Sequence, residues 1–507
     1  MNLLELFIDR VNDAEATGRP CLTVPADSGR IATQWTFARL FGEAAAIAAV
    51  LQADGAKVGD RVVAQVDKSP EAFALYLACL QAGLVYVPLN TAYTPSEVAF
   101  FLSDTDAHTF VCRPGTEASL VEATAATSAV QTLGASGGGT LAERAKAIAP
   151  LAGMTDRADD DLACMLYTSG TTGRSKGAML THRNLAANGL ALHQTWAFGP
   201  GDVLLHILPI FHVHGLFVAL HCALLNASEV IFCPTFDTTI VRRELQRATV
   251  MMGVPTHYTR LLDDPQFGAD DCTNVRLFTS GSAPMTEAVF NQFTERTGHR
   301  ICERYGMTET GILTSNPYDG ERTAGTVGYP LPGIELKVLT EDGEPARVGE
   351  NGMVWVRGEH IGPGYWRLPE KTAEERSTDG FFRTGDVGFL DATGRLTLAG
   401  RAGDMIISGG YNVYPKEIEL VLDEVPGVVE SAVVGLPHPD FGEGVVAFIV
   451  GQTTTEVLQA ACGQHLARFK HPKHYYFVDE LPRNAMGKVQ KAQLRADHAA
   501  FFAPNED

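Results

Sequence analysis

Long uninterrupted apolar runs, paired cysteines and clustered cations are all scarce in this chain, and each shortage excludes a class of protein. Within the longest uncharged stretch, Ile207 to Leu225 is broken by Pro209, His212, His214 and His221. It is read as buried strand, turn and helix, not as a membrane span. Nine Cys with no CxxC pair speak against a disulfide framework or structural zinc and for free thiols in a reducing cytoplasm. Only 40 Lys and Arg stand against 60 Asp and Glu, a formal charge of −20. So acidic a surface excludes general nucleic-acid binding and docking on anionic membranes, because phosphate partners need clustered cations. A polyanion must bind in a local positive pocket. The opening MNLLELFIDRVND has no cationic n-region and carries Glu5 and Asp9, so it reads as an amphipathic helix and not as an export signal.

What is present is an ordinary globular composition, 45% hydrophobic and 20% charged over 507 residues, more than one core comfortably holds. Helical and extended patterns alternate in the N-terminal third: Phe37 to Ala53 helical, Arg61 to Val66 extended, Glu71 to Gln81 helical with Gly83 beyond its end, Val85 to Leu89 extended. Such strand–helix–strand units predict an α/β fold of layered, mostly parallel sheets. Gly134 to Gly139 is a surface loop. The strongest boundary falls near Gly400. It divides a large domain over 1–400 from a short hinge over 401–404 and a small, mobile α+β lid over 405–507, and ligand sites favour such interfaces.

The most informative stretch is Tyr167 to Gly177, YTSGTTGRSKG. It follows an apolar strand, Leu162 to Leu166, and holds three Gly, three Thr, two Ser and one Lys in eleven residues. Glycine lets backbone N–H groups approach an anion, hydroxyls add donors, and Lys176 adds charge, which together make a cradle for nucleotide phosphates. The spacing is not the Walker pattern, since Lys176 follows Gly173 by three and precedes another Gly.

This stretch, together with RYGMTE (Arg304 to Glu309), RTGD (Arg383 to Asp386), Gly400-Arg401, GGYNVYPKEIE (Gly409 to Glu419) and NAMGKVQK (Asn484 to Lys491), resembles the ordered motifs of the acyl-adenylate-forming, AMP-binding enzymes. The resemblance spans nearly the whole chain. It implies a large domain and a rotating lid that use ATP, Mg2+ and coenzyme A: a carboxylate attacks the α-phosphate of ATP, pyrophosphate leaves, and a thiol then displaces AMP. It also implies residue roles. Thr168, Ser169, Gly170, Thr171, Thr172, Gly173 and Lys176 hold the β- and γ-phosphates. Glu309 is the Mg2+ ligand, with Thr308 on the α-phosphate. Tyr305 stacks on adenine beside Gly306, Asp386 takes the ribose hydroxyls, and Arg401 reaches the ribose or phosphates. Lys488 is the adenylation lysine, and His212 gates the acyl pocket. His212 and His214 lack a third ligand at useful spacing for a metal site, and His214 reads as a core residue. Gly409 and Gly410 line the pantetheine tunnel, and Arg468, Lys470 and Lys473 meet the phosphates of CoA. One departure concerns the hinge, where Gly403 stands at a position often Asp or Lys in relatives.

The stretches GVPTHYTRLL and RLFTSGSAP, with NTAYT, LPIFHVHGLF and RYGMTET, look most like malonyl-CoA synthetases. Arg260 is unexpected beside an acyl site built for an apolar chain, since an unpaired buried charge is costly. A second substrate carboxylate resolves that cost bidentately, with Ser282 adding a hydrogen bond. The expected partner is therefore a small diacid, malonate or methylmalonate, with no nucleic acid and no membrane. The alternatives are a short- or medium-chain fatty acyl-CoA ligase and a freestanding adenylation protein that loads a carrier-protein thiol.

Overall fold

The computed structural model describes residues 1–26, 31–120, 124, 127–168, 175–199, 201–408, 411–466, 468–484 and 487–502. Two large sheets form its body. In a nine-stranded sheet, Cys302–Met307, Leu277–Ser280, Val250–Gly253, Val203–His206, Glu229–Phe232 and Pro20–Pro25 lie side by side and parallel. In a seven-stranded sheet, Leu162–Thr168, Val85–Pro88, Arg61–Gln65, Ala107–Cys112 and Ala129–Thr132 do the same. Antiparallel strands are added at the edges of both sheets. The layered, mostly parallel architecture expected for the N-terminal part is what these two sheets show.

Local signals account for the element ends. Phe37–Ala53 begins where the Thr36 side chain accepts the Arg39 N–H. Pro70–Ala82 begins at Ser69, which accepts the Ala72 N–H, and stops at Gly83 in the left-handed conformation, a common helix end because glycine carries no Cβ penalty there. Every side chain from Ala72 to Ala82 in that helix is buried, so it packs between layers.

One expectation needs correcting. The strand assigned within 207–225 ends before it: Val203–His206 is the strand, and a loop, a π-helical segment His214–Ala219 and the helix Leu220–Leu225 follow. A third sheet, Glu335–Leu339, Gly352–Arg357, Phe382–Leu390 and Leu396–Arg401, is wholly antiparallel; a short turn joins its last two strands, whereas helix Pro369–Glu374 lies between the second and the third.

A 3-10 turn, Ala402–Asp404, leads from this sheet to a five-stranded sheet, Ile406–Ser408, Tyr411–Val413, Val428–His438, Gly442–Gly451 and His474–Phe477. Helices Pro415–Asp423 and Thr455–His465 join it around a separate core of Ile418, Leu422, Val433, Ala447, Leu458 and Cys462. All nine cysteines are buried and free.

Candidate active site

The site lies between the carboxyl ends of the parallel strands of both body sheets, where open α/β folds place ligands. In the seven-stranded sheet, Leu162–Thr168 folds back on Lys176–Thr181, and the ladder ends with Thr168 opposite Lys176. Those two residues bracket the stretch expected to cradle phosphates. Ser169, Gly170, Thr171, Thr172 and Gly173 lie outside the described residues. The Tyr167 hydroxyl donates to Asp104 at 2.5 Å and Trp366 Nε1 donates to the Asp104 carbonyl at 2.9 Å, anchoring the hairpin.

RYGMTE forms the strand Cys302–Met307 and the turn into Gly311–Ser315, so Thr308 and Glu309 occupy a hairpin tip. Gly306 packs where a Cβ would stand 2.2 Å from the Gly311 carbonyl oxygen. Tyr365 donates to Glu309 Oε1 at 3.0 Å and to Glu375 Oε2 at 2.7 Å. The Lys176 ammonium stands 5.2 Å from the Tyr365 ring centroid. Burial pushes the Glu309 carboxyl up, and Tyr365 and Arg401 pull it partly back. A single carboxylate beside the phosphate hairpin fits Mg2+, which takes one or two carboxylates and completes its shell with phosphates and water. Among the described residues no group of three or more His, Cys, Asp and Glu could hold a metal.

Asp386 and Arg401 sit opposite each other in the antiparallel ladder, with Nε 2.8 Å from Oδ1. The Tyr305 hydroxyl donates to the other carboxylate oxygen of Asp386. Sequence alone gave Tyr305 a stacking face and missed this bond; the ring itself is buried. Lys488 approaches from the small domain, its N–H donating to Asn484 Oδ1 at 3.0 Å. Although the residue as a whole is exposed, desolvation of its ammonium and the nearby Arg401 lower its pKa, while Asp386 and Asp404 raise it.

His212 accepts the His214 N–H at Nδ1, 3.2 Å away. Burial, then Arg304 and Lys488, push it down to about 4, so the ring is neutral at pH 7. The π-helical segment starts at His214, and Gly215 within it lies against Pro209, where a Cβ would meet the carbonyl oxygen at 2.0 Å; π-turns of this kind recur at functional sites. Ser282 Oγ lies 3.4 Å from His214 Nδ1, and Ser282 itself holds φ at +70°, a conformation that stores strain in a residue other than glycine.

Arg260 does not occupy a buried pocket. The helix Pro255–Asp263 buries Tyr258, Leu261 and Leu262 and leaves Arg260 exposed, its guanidinium 5.8 Å from the Phe236 ring centroid. That amphipathic spacing corrects the expectation of a buried Arg260. The buried guanidinium belongs to Arg304, 4% exposed, with Nε and Nη2 lacking any hydrogen-bond partner. It fits under Gly281, where a Cβ would stand 2.6 Å from its Cζ. In the sequence Arg304 stands only as the first residue of RYGMTE, and its place inside a β-rich run is the available signal for its burial. Tyr365 was missed likewise, although the Gly-Tyr-Trp of 364–366 follows a glycine-rich turn.

Of the residues expected to meet CoA, Arg468 and Lys470 share one 3-10 turn and Lys473 follows it. Arg468 and Lys473 are exposed, with the Lys473 ammonium 3.6 Å from the Phe441 ring centroid, and Lys470 is already paired with Glu417. Gly409 and Gly410 lie outside the described residues. No helix among the described residues is long and apolar enough to cross a membrane.

The AMP-binding enzyme profile matches residues 11–366, and the AMP-binding enzyme C-terminal domain matches 417–488. The chain is 34% identical to a sulfoacetate–CoA ligase of Cupriavidus necator over 96% of each protein. It is 38% identical to a malonate–CoA ligase of Arabidopsis thaliana over 66% of this chain, spanning 60% of that protein's length. Among solved structures, ATP-bound MatB from Rhodopseudomonas palustris shares 46% identity over 99% of this chain and 100% of its own, with a TM-score of 0.94; its apo form superposes at 0.85. The phosphate hairpin, Glu309 and the Asp386–Arg401 pair thus stand in a fold shared along the full length with ATP-dependent ligases, and the chain belongs to the AMP-binding enzyme family as an AMP-forming acyl-CoA ligase that uses ATP, Mg2+ and CoA.

Proposed function

We propose that this ligase activates a short diacid, malonate or methylmalonate, and forms its monothioester with CoA by way of an acyl-adenylate. The observation that carries the reading is Arg304, a buried cation with two unpartnered N–H donors beside His212, His214 and Ser282. Burying a guanidinium without an acceptor is unfavourable, and burial already lowers its pKa to about 10. A distal carboxylate supplies the missing acceptor. An apolar acyl chain does not, which disfavours the fatty-acid alternative. Support also comes from two relatives whose named acids, malonate and sulfoacetate, both carry a second anionic group.

In this reading Thr168 and Lys176, with the loop between them, hold the β- and γ-phosphates. Glu309 holds Mg2+, which supplies charge neutralisation at the phosphates. Asp386 and Arg401 position the ribose, and Tyr305 faces the adenine. The ammonium of Lys488 steadies the negative charge where the carboxylate meets the α-phosphate, a service worth most in a desolvated cleft. Neutral His212 walls the acyl pocket without repelling Lys488. The segment 401–404 is the hinge between the 1–400 body and the 405–507 lid, whose rotation brings Gly409, Gly410, Arg468 and Lys473 to CoA. Ser282 and exposed Arg260 border the acid's entry.

CoA-dependent AMP formation with malonate, methylmalonate, sulfoacetate, succinate, acetate and butyrate tests the reading. Malonate or methylmalonate should give the highest kcat/KM. Sulfoacetate leading would reassign the second anion, and butyrate leading would overturn the diacid.

A further inference from the structure

Lys68 stands in the turn between Arg61–Gln65 and Pro70–Ala82, just before the capping Ser69. Its side chain leaves the seven-stranded sheet and reaches the nine-stranded one. Nζ donates to the His206 carbonyl at 2.9 Å and lies 4.5 Å from the Phe232 ring centroid. His206 and Phe232 end adjacent parallel strands, so the ammonium sits over the carboxyl edge of that sheet, the ligand-binding edge of the fold. One carbonyl occupies one of three N–H donors. Among the described residues no carboxylate pairs with it, and burial pushes its pKa down to about 7.

Its neighbours are those of the acid site. The charge of Lys68 helps keep His206 and His257 neutral. Both of those rings, with Arg304 and His212, act on His214, the residue beside Ser282. Lys68 and Arg304 are thus two cations without a carboxylate partner among the described residues, held by different sheets and both acting on this group of imidazoles.

We infer that Lys68 is a specificity-determining residue whose ammonium meets the distal anionic group of the acid, so that a diacid is gripped from both body sheets. This rests on the diacid reading above. A monocarboxylate leaves the ammonium without a counter-ion, which makes the lysine a selector and not merely a binder.

The test measures kcat and KM for malonate and propionate in the full-length enzyme, its Lys68→Met variant, which keeps an unbranched stem, and its Lys68→Arg variant. A charge-assisted hydrogen bond of ordinary strength predicts a ten- to hundredfold rise in malonate KM in Lys68→Met. The malonate-to-propionate ratio of kcat/KM should fall by the same factor, and Lys68→Arg should recover most of it. The rise in melting temperature produced by malonate should vanish in Lys68→Met and return in Lys68→Arg. Equal loss for both acids, or a malonate KM within twofold of the parent, overturns the assignment. Failure of the parent enzyme to prefer malonate over propionate sinks the diacid reading instead, and this inference with it.

Discussion

Arg401 and Asp386 face each other across the last rung of the ladder between Phe382–Leu390 and Leu396–Arg401, with Nε 2.8 Å from the carboxylate. The register of the sheet fixes both backbones, and the chain departs into the 3-10 turn at the next residue. Arg401 therefore stands at the end of the antiparallel sheet, just before the small domain begins. Lys488, carried by the small domain, feels both members of the pair.

That arrangement predicts a split between half-reactions. Lys488→Ala should lower ATP–pyrophosphate exchange with malonate by about a hundredfold or more, the scale of losing an electrostatic stabiliser. Thioester formation from supplied malonyl-AMP and CoA should persist. Equal loss of both activities would contradict the role.

Arg304→Met should lower malonate kcat/KM by tens to thousands of fold, since losing one partner of a buried charge pair costs about 2–5 kcal/mol. Its melting temperature should hold or rise, because the empty pocket no longer contains an unpaired guanidinium. Gly281→Ala, which drives a Cβ against Arg304, should reproduce the selectivity loss with the charge retained.

Tyr365→Phe removes the donor shared by Glu309 and Glu375. The Mg2+ concentration for half-maximal rate at fixed ATP should shift about tenfold, consistent with roughly 1.5 kcal/mol for a bond to a charged group. A lower kcat with an unmoved Mg2+ dependence would refute this.

Glu303 is buried with Gly325 N–H on its Oε1 at 3.0 Å, and burial raises its pKa to about 8. Between its unfolded value near 4.5 and about 8 the folded state holds a proton that the unfolded chain has released. Its contribution to stability therefore declines as pH rises through that window, by at most about 1.4 kcal/mol per pH unit. Glu303→Gln should stabilise the protein at pH 8 more than at pH 5, as read by thermal melting at both values. A pH-independent difference would show that no proton is involved.

Several helices and strands were legible because their signals are local. Thr36 and Ser69 cap helices through hydrogen bonds to residues three positions on, and Gly83 stops one through its own φ. The four-stranded antiparallel sheet was not, since its pairings link strands up to tens of residues apart and short apolar runs look alike in either kind of sheet. Arg260 shows the same limit within a site: the spacing of Tyr258, Leu261 and Leu262 sets which face of the helix is buried, but a lone arginine between them was credited to the pocket.

The order of the motifs, and with it the adenylating chemistry, is written in the linear chain, because phosphate loops and capping residues act through neighbours a few positions away. Which cation is buried was decided only by tertiary structure. Burial is a property of what packs from elsewhere: Arg304 is sealed under Gly281, Lys68 crosses from another sheet to the His206 carbonyl, and Arg260 is left in solvent.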